Sequence, residues 1–320
     1  MNTELLLWTL IFIGSLALLV KSSDLFVDAS EQIGSFFGLP AFLIGVVIVS
    51  IGTSLPELVS SILAVRSGSS EIVIGNVIGS NITNIFLVIG AAGILCGEMV
   101  VQRDVFRYDM SFLLGTALLL GVMVIDLRIQ PGETVVLIAL LIGYFWFLSK
   151  RPEEALSEFS ELSAIEEKAS KKPGFWPWFL LAASPFGIYF GAEYLVESVI
   201  TLSRLIGIGS EVIALSAVAL GTSLPEVMVS VSAVRKGKVD IAVGNVVGSN
   251  IFNTLAVTGG ASLFGTLLIP ESILTFAMPI SIGATILLLV VLFDRRITRL
   301  ESFMLLVFYV VFIGMLYGFI

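Results

Sequence analysis

Glu57 and Glu226 each close a Gly-Thr-Ser-Leu-Pro-Glu block, at residues 52–57 and again at 221–226, inside stretches apolar enough to span a bilayer. An ionisable side chain at the bilayer centre costs roughly 2.5–3.5 kcal/mol on insertion scales, so a carboxylate placed there twice points first to an ion pathway. Each block also carries a proline, Pro56 or Pro225. A proline within a helix removes one backbone donor and crowds the preceding turn, so both spans are expected to break there and free main-chain carbonyls. Carbonyls freed at membrane depth need protein or a polar cavity to satisfy them, and a bound cation does so directly. Thr53 and Ser54 precede Glu57 by four and three positions, and Thr222 and Ser223 precede Glu226 likewise, close to its helical face. A proline kink eased by Ser and Thr is the plain alternative, and a glutamate in both copies weighs against it.

A second block repeats at the same offset of 169 residues. Gly75-Asn76-Val77-Ile78-Gly79-Ser80-Asn81-Ile82 matches Gly244-Asn245-Val246-Val247-Gly248-Ser249-Asn250-Ile251, and Asn84 matches Asn253. Ser80 and Asn84 are four apart, as are Ser249 and Asn253, so each pair lines one helix face. The glycines, spaced G-x-x-x-G, are packing devices that let helices approach. Asn76, Asn81, Asn245 and Asn250 read as glue between helices or caps on broken backbone, with direct ion contact the lesser reading; Asn84 and Asn253 are the better ligand candidates. The set is hard oxygen throughout. Calcium takes about six to eight such ligands, whereas thiolate and imidazole suit transition metals. The chain has no His and one Cys, Cys96, outside the motifs, which disfavours zinc, copper and iron and excludes an intramolecular disulfide. No cofactor is expected.

These blocks sit in a chain of 320 residues that is 57% hydrophobic and 13% charged, against about 25% charged in soluble domains. An all-α polytopic membrane protein follows, with room for about ten spans of ~20 residues. Apolar runs place them near 4–20, 40–65, 72–96, 108–126, 134–149, 176–196, 210–234, 241–268, 272–293 and 300–319, the first and sixth running on into mixed segments at the membrane surface. No basic residue precedes Lys21, so the first span lacks the positive flank of a cleaved signal and is expected to be retained. Ten spans sort the basic residues unevenly. Fourteen, including Lys21, Lys150, Lys172, Lys236 and Arg296, fall on one side, and only Arg66, Arg128 and Arg204 on the other. Basic loops stay cytoplasmic, so both termini lie outside and the acidic linker 151–174 lies in the cytoplasm. The halves, 1–150 and 175–320, hold five spans each. An odd number inverts the second half relative to the first, the architecture that puts a transporter's site at the midplane between repeats. Asp24 and Glu193 are equivalent across the repeat and read as interfacial structure near span ends.

Both double blocks, 52–90 and 221–259, resemble the two alpha-repeats of the sodium/calcium exchanger family within the cation/calcium antiporter superfamily, and the short linker is similar to that of the prokaryotic members. The resemblance implies ten helices in two inverted-topology five-helix repeats, with spans 1 and 6 sliding against the rest, and four clustered cation sites. It implies Glu57 and Glu226 as ligands shared by calcium and sodium, and Thr53 and Thr222 as main-chain donors to calcium. Ser54, Ser223, Ser80, Ser249 and the carbonyls of Ser50 and Ala219 are implied for sodium, with Asn84 and Asn253 completing the midplane. Several exchangers carry Asp at one or both of these last positions, and two Asn argue against potassium cotransport.

The function expected is sodium/calcium antiport by alternating access in the cell membrane, with calcium, sodium and lipid as partners and neither nucleic acid nor an obligate protein partner. Calcium/proton exchange at the same glutamates is the alternative, although the GNATE-like blocks of the proton-coupled relatives are missing from both copies. An intramembrane enzyme using two carboxylates as acid and base lacks its paired-Asp or HExxH motif here. A passive channel would not give saturable counterflow.

Overall fold

The computed structural model describes residues 3–101, 109–149, 172–205, 223–316 and 318. Among these, eight helices are long and apolar enough to cross a membrane: α1 (Thr3–Phe36), α2 (Ala41–Arg66), α3 (Glu71–Cys96), α5 (Pro131–Ser149), α6 (Phe175–Leu205), α8 (Val239–Ser262), α9 (Ile273–Val291) and α10 (Arg299–Leu316). A shorter apolar helix, α4 (Ser111–Asp126), lies between α3 and α5. The helix α7 (Leu224–Arg235) is described from the proline block onward; the earlier part of the expected span 210–234, with the linker, lies outside the described residues.

Several expectations need correction. α1 and α6 run on past residues 20 and 196 as single helices of 34 and 31 residues, so the mixed segments after the first and sixth apolar runs are helical. Lys21 and Asp24 therefore lie within α1 and not in a loop. α8 stops at Ser262, short of 268, because the chain turns there into a short strand at Leu267–Leu268. Pro56 does not break α2, which runs on from Ser50 to Arg66. The helix deviates instead upstream, in a π-helical turn at Ile44–Val49, and the Thr53 hydroxyl bonds back to the Val49 and Ser50 carbonyls at 3.3 Å, holding the turn before the proline. Pro225 stands in the first turn of α7, where the missing N–H has no partner to lose.

The same constructions recur in both parts of the chain. Four two-residue strands pair crosswise between the parts, Met99–Val100 with Arg296–Ile297 and Arg128–Ile129 with Leu267–Leu268, both antiparallel. Leu127 and Arg295 take left-handed backbone ahead of their strands. Glu133 caps the Gln130 N–H at 2.8 Å, and Glu301 caps the Thr298 N–H at 2.8 Å. π-helical turns open at the two matched asparagines, Asn84–Val88 in α3 and Asn253–Val257 in α8. Helix pairing follows the same rule: α2 crosses α8 where α3 crosses α7, and α5 packs on α8 where α10 packs on α3. An all-α reading misses the strands, since two residues carry no periodicity.

Close crossing depends on missing side chains, because lipid gives helices little hydrophobic reason to associate and van der Waals packing must hold them. A Cβ at Gly248 of α8 would lie 2.6 Å from the Val46 carbonyl and 2.7 Å from Ser50 Oγ of α2, and Gly244 and Gly45 face the opposing backbone in the same way. The residues that would face Gly75 and Gly79 by the same rule fall within 206–222, outside the described residues.

The pair α1 and α6 packs along its length and meets the remaining helices mainly where α1 rests on α7 and the start of α2. A polar clasp fixes that contact. Lys236 Nζ lies 2.7 Å from Asp28 and donates to the Asp24 carbonyl at 2.6 Å, Ser232 Oγ donates to Asp24 Oδ1 at 2.5 Å, and Lys238 pairs with Glu31. α6 makes far less contact with α2. Matched residues accordingly differ: Leu55 is 42% exposed but Leu224 7%, and Ile72 of α3 is 58% exposed but Ile241 of α8 is fully buried.

Candidate functional site

Glu57 comes from the middle of α2 and Glu226 from the first turn of α7, the two helices that carry the repeated proline block. Both side chains are buried, at 3% and 1% exposure, and close enough for the charge of Glu226 to act on Glu57. The first block reaches across to the second carboxylate: Ser54 Oγ donates to Glu226 Oε1 at 3.5 Å. Among the described residues, both oxygens of Glu57 and Oε2 of Glu226 have no hydrogen-bond partner. Buried polar atoms without partners typically cost about 1–3 kcal/mol each, and more when charged, so three on two facing carboxylates need a compensating ligand.

The matched asparagines supply two more such atoms. Asn84 and Asn253 open the π-helical turns of α3 and α8 and are each 1% exposed. Asn84 Nδ2 donates to Asn250 Oδ1 at 3.0 Å and Asn253 Nδ2 to Asn81 Oδ1 at 3.3 Å, while Oδ1 of Asn84 and of Asn253 have no partner among the described residues. π-helical turns in otherwise regular helices gather at functional sites, and here they fall at matched places with a bare amide oxygen at each.

Of the hydroxyl candidates, Ser54 donates to a carboxylate. Thr53, Ser54, Ser80, Ser223 and Ser249 are buried. Ser50 donates through Oγ to the Val46 carbonyl, and its own carbonyl accepts from Thr53 Oγ1 at 3.3 Å. Ser249 Oγ donates to Asn245 Oδ1 at 3.5 Å. Ser223 is the N-cap of α7, with its carbonyl accepting from the Val227 N–H at 3.1 Å. Thr222 and Ala219 lie outside the described residues. Asn245 bridges the halves, donating to Ser230 Oγ at 3.0 Å and accepting from Thr53 Oγ1 at 3.3 Å.

Three contributors carry little signal in the sequence. Thr254 accepts from Asn81 Nδ2 at 3.2 Å, and the Thr258 hydroxyl donates at 3.3 Å to the Asn253 carbonyl inside the π turn. Their repeat partners are Ile85 and Ile89, so matching the halves hides them. Ser230 is legible only afterwards, as the matched partner of Ser61. Cys96 is exposed at the far end of α3 and takes no part. A cluster of oxygen donors with two carboxylates suits a hard cation and offers nothing to a soft one.

Comparison with known proteins agrees with this chemistry. A profile of the family described as "Sodium/calcium exchanger protein" matches residues 7–150 and 176–318. The chain is 36% identical to the sodium/calcium exchanger MaX1 of Methanosarcina acetivorans, over 96% of this chain and 98% of that protein. It is 32% identical to the inner membrane protein YrbG of Escherichia coli, over 80% of this chain and 79% of the relative. Its fold superposes on the sodium-calcium exchanger NCX_Mj, solved in 2.5 mM Na+ and 10 mM Sr2+, with a TM-score of 0.80 and 31% identity, covering 97% of this chain and 99% of that one. With its helices of membrane-crossing length and a profile match over nearly all of its sequence, this multi-pass membrane protein belongs to the sodium/calcium exchanger family.

Proposed function

We propose that the protein exchanges sodium for calcium across the cell membrane, both ions competing for Glu57 and Glu226 at a midplane site that opens alternately to either face. The five buried oxygens of Glu57, Glu226, Asn84 and Asn253 that have no hydrogen-bond partner among the described residues carry this reading. In this reading they meet from α2, α7, α3 and α8, since a cation is the ligand that would satisfy such acceptors together. Thr53, Ser54, Ser80, Ser223 and Ser249, the carbonyl of Ser50, and Thr222 and Ala219 complete the proposed donor set. Two inverted five-helix halves, 1–150 and 175–320, joined by the acidic segment 151–174, supply it; the matched strand pairs, caps and π turns support that organisation. The excess of basic residues on one side puts both termini outside and the linker in the cytoplasm.

Exchange follows from sharing one site. A protein that must be loaded before α1 and α6 can shift carries one ion type out only by carrying the other in. Calcium/proton exchange is the second reading, favoured by one feature: Glu57 has no hydrogen bond among the described residues that would hold it ionised. Calcium uptake into proteoliposomes under an imposed sodium gradient, and separately under an imposed pH gradient, decides between them. Uptake is expected under the sodium gradient at constant pH; uptake under the pH gradient alone would transfer the assignment to protons.

A further inference from the structure

Asn81 and Asn250 do not aim at the carboxylates, yet they are buried between the two halves and use both ends of their amides. Asn81 Nδ2 donates to the Asn250 main-chain carbonyl at 3.4 Å and to Thr254 Oγ1 at 3.2 Å. Asn250 Nδ2 donates in return to the Asn81 main-chain carbonyl at 3.2 Å. A main-chain carbonyl only accepts, so the nitrogen of each amide must face it, and the orientation is fixed by chemistry rather than by choice of flip. The oxygen of each amide then points the other way, where it accepts from the next asparagine: Asn81 Oδ1 from Asn253 Nδ2, and Asn250 Oδ1 from Asn84 Nδ2. Those nitrogens being engaged, the oxygens of Asn253 and Asn84 are the atoms left bare.

We propose that Asn81 and Asn250 are positioning residues that act crosswise through Asn253 and Asn84, forcing each amide to present oxygen and not nitrogen to the transported cation. Without them an amide at 84 or 253 is free to turn its NH2 toward the ion, which repels it. The relay crosses the repeat boundary twice, so each half orients a ligand belonging to the other. This rests on the cation site proposed above, and its test separates the two ideas.

The probe is calcium alone, titrated calorimetrically into purified full-length protein. Asn81→Ser removes the acceptor facing Asn253 and is expected to weaken calcium binding about tenfold, the low end for groups that orient metal ligands. Asn253→Ala is expected to weaken it also, and the double variant no further than Asn253→Ala by itself, because the first residue acts only through the second. Asn81→Ser combined with Asn84→Ala should multiply the two losses. The mirror pairs should follow the same rule: an Asn250 variant should add no further loss to Asn84→Ala but multiply with Asn253→Ala. Asn81→Asp keeps an acceptor toward Asn253 and should recover most of the affinity that Asn81→Ser loses, which decides the matter should the serine variant not fold. Losses that multiply in every pair, or an Asp variant as weak as the Ser one, would overturn the relay. Calcium binding without sodium-driven exchange would sink the functional reading while leaving the relay tested, and wild-type protein that binds no calcium would sink both.

Discussion

A carboxylate pair buried in a membrane is unstable on its own terms, and the side chains around it determine what relieves it. The carboxyl groups of α2 and α7 are both buried, with the Ser54 hydroxyl on Glu226 and, among the described residues, no hydrogen-bond partner on either oxygen of Glu57. A divalent cation neutralises both at once. Removing one charge should therefore weaken calcium binding far more than removing a neutral ligand, since a unit-charge contact near 4 Å is worth about 4 kcal/mol at a protein-like effective dielectric. Glu57→Gln and Glu226→Gln are each expected to lower calcium uptake by a factor on the order of a hundred or more while the protein still inserts. Uptake near the wild-type level in both, measured at equal amounts of reconstituted protein, would remove these residues from the site. Most of this set is legible in the sequence, because ionisable and amide side chains in apolar runs are costly and their duplication marks them twice. What stays hidden is direction. No spacing rule tells that Asn84 and Asn253 turn their oxygens inward, since that depends on Asn250 and Asn81 from the other half.

At the scale of the helix, position comes from two devices of different legibility. G-x-x-x-G spacing announces close packing, and Gly244 and Gly248 do meet the backbone of α2. Gly248→Val should force the crossing apart against the Val46 carbonyl and cost about 1–3 kcal/mol, the usual range for overpacking. A lowered thermal midpoint of the solubilised protein would register it; an unchanged midpoint would mean that the crossing tolerates a wider gap. The π turns have no comparable signature. They need one extra residue per turn, a backbone choice that no residue type announces, and at Asn253 it is supported by Thr258, which has no polar counterpart in the first half. Pro56 illustrates the opposite error, a strong local breaker overridden by the packed helix around it. Helix ends are also hard to read: α1 and α6 run on as continuous helices of 34 and 31 residues, and the acidic residues in the second half of α1 bond Ser232, Lys236 and Lys238 instead of forming a loop.

For the whole molecule, charge balance sets the energetics of the proposed cycle. The two glutamates offset one calcium ion, whereas three sodium ions on the same oxygens would leave the loaded protein one charge more positive. Exchange at that ratio moves net charge. Imposing a diffusion potential across proteoliposomes should then speed or slow sodium-driven calcium flux according to its sign, and indifference to potential would point to a two-for-one cycle.

Many residues of the chain match at an offset of 169, yet the clasp between α1 and the end of α7 has no match. The residues matched to Asp24 and Asp28 are Glu193 and Glu197, while Lys236 and Lys238 are matched by Ser67 and Ser69. Exposed ion pairs are worth only about 0.2–1 kcal/mol each and are screened by salt, but several together shift a balance between otherwise similar arrangements. Lys236→Gln with Lys238→Gln should loosen one face alone, seen as faster labelling of a cysteine placed on α7 and unchanged labelling of one on α2; equal changes on both would show that the pairs carry no preference. A transporter assembled from near-copies thereby has a resting posture, and raised ionic strength on a single face is a means of undoing it.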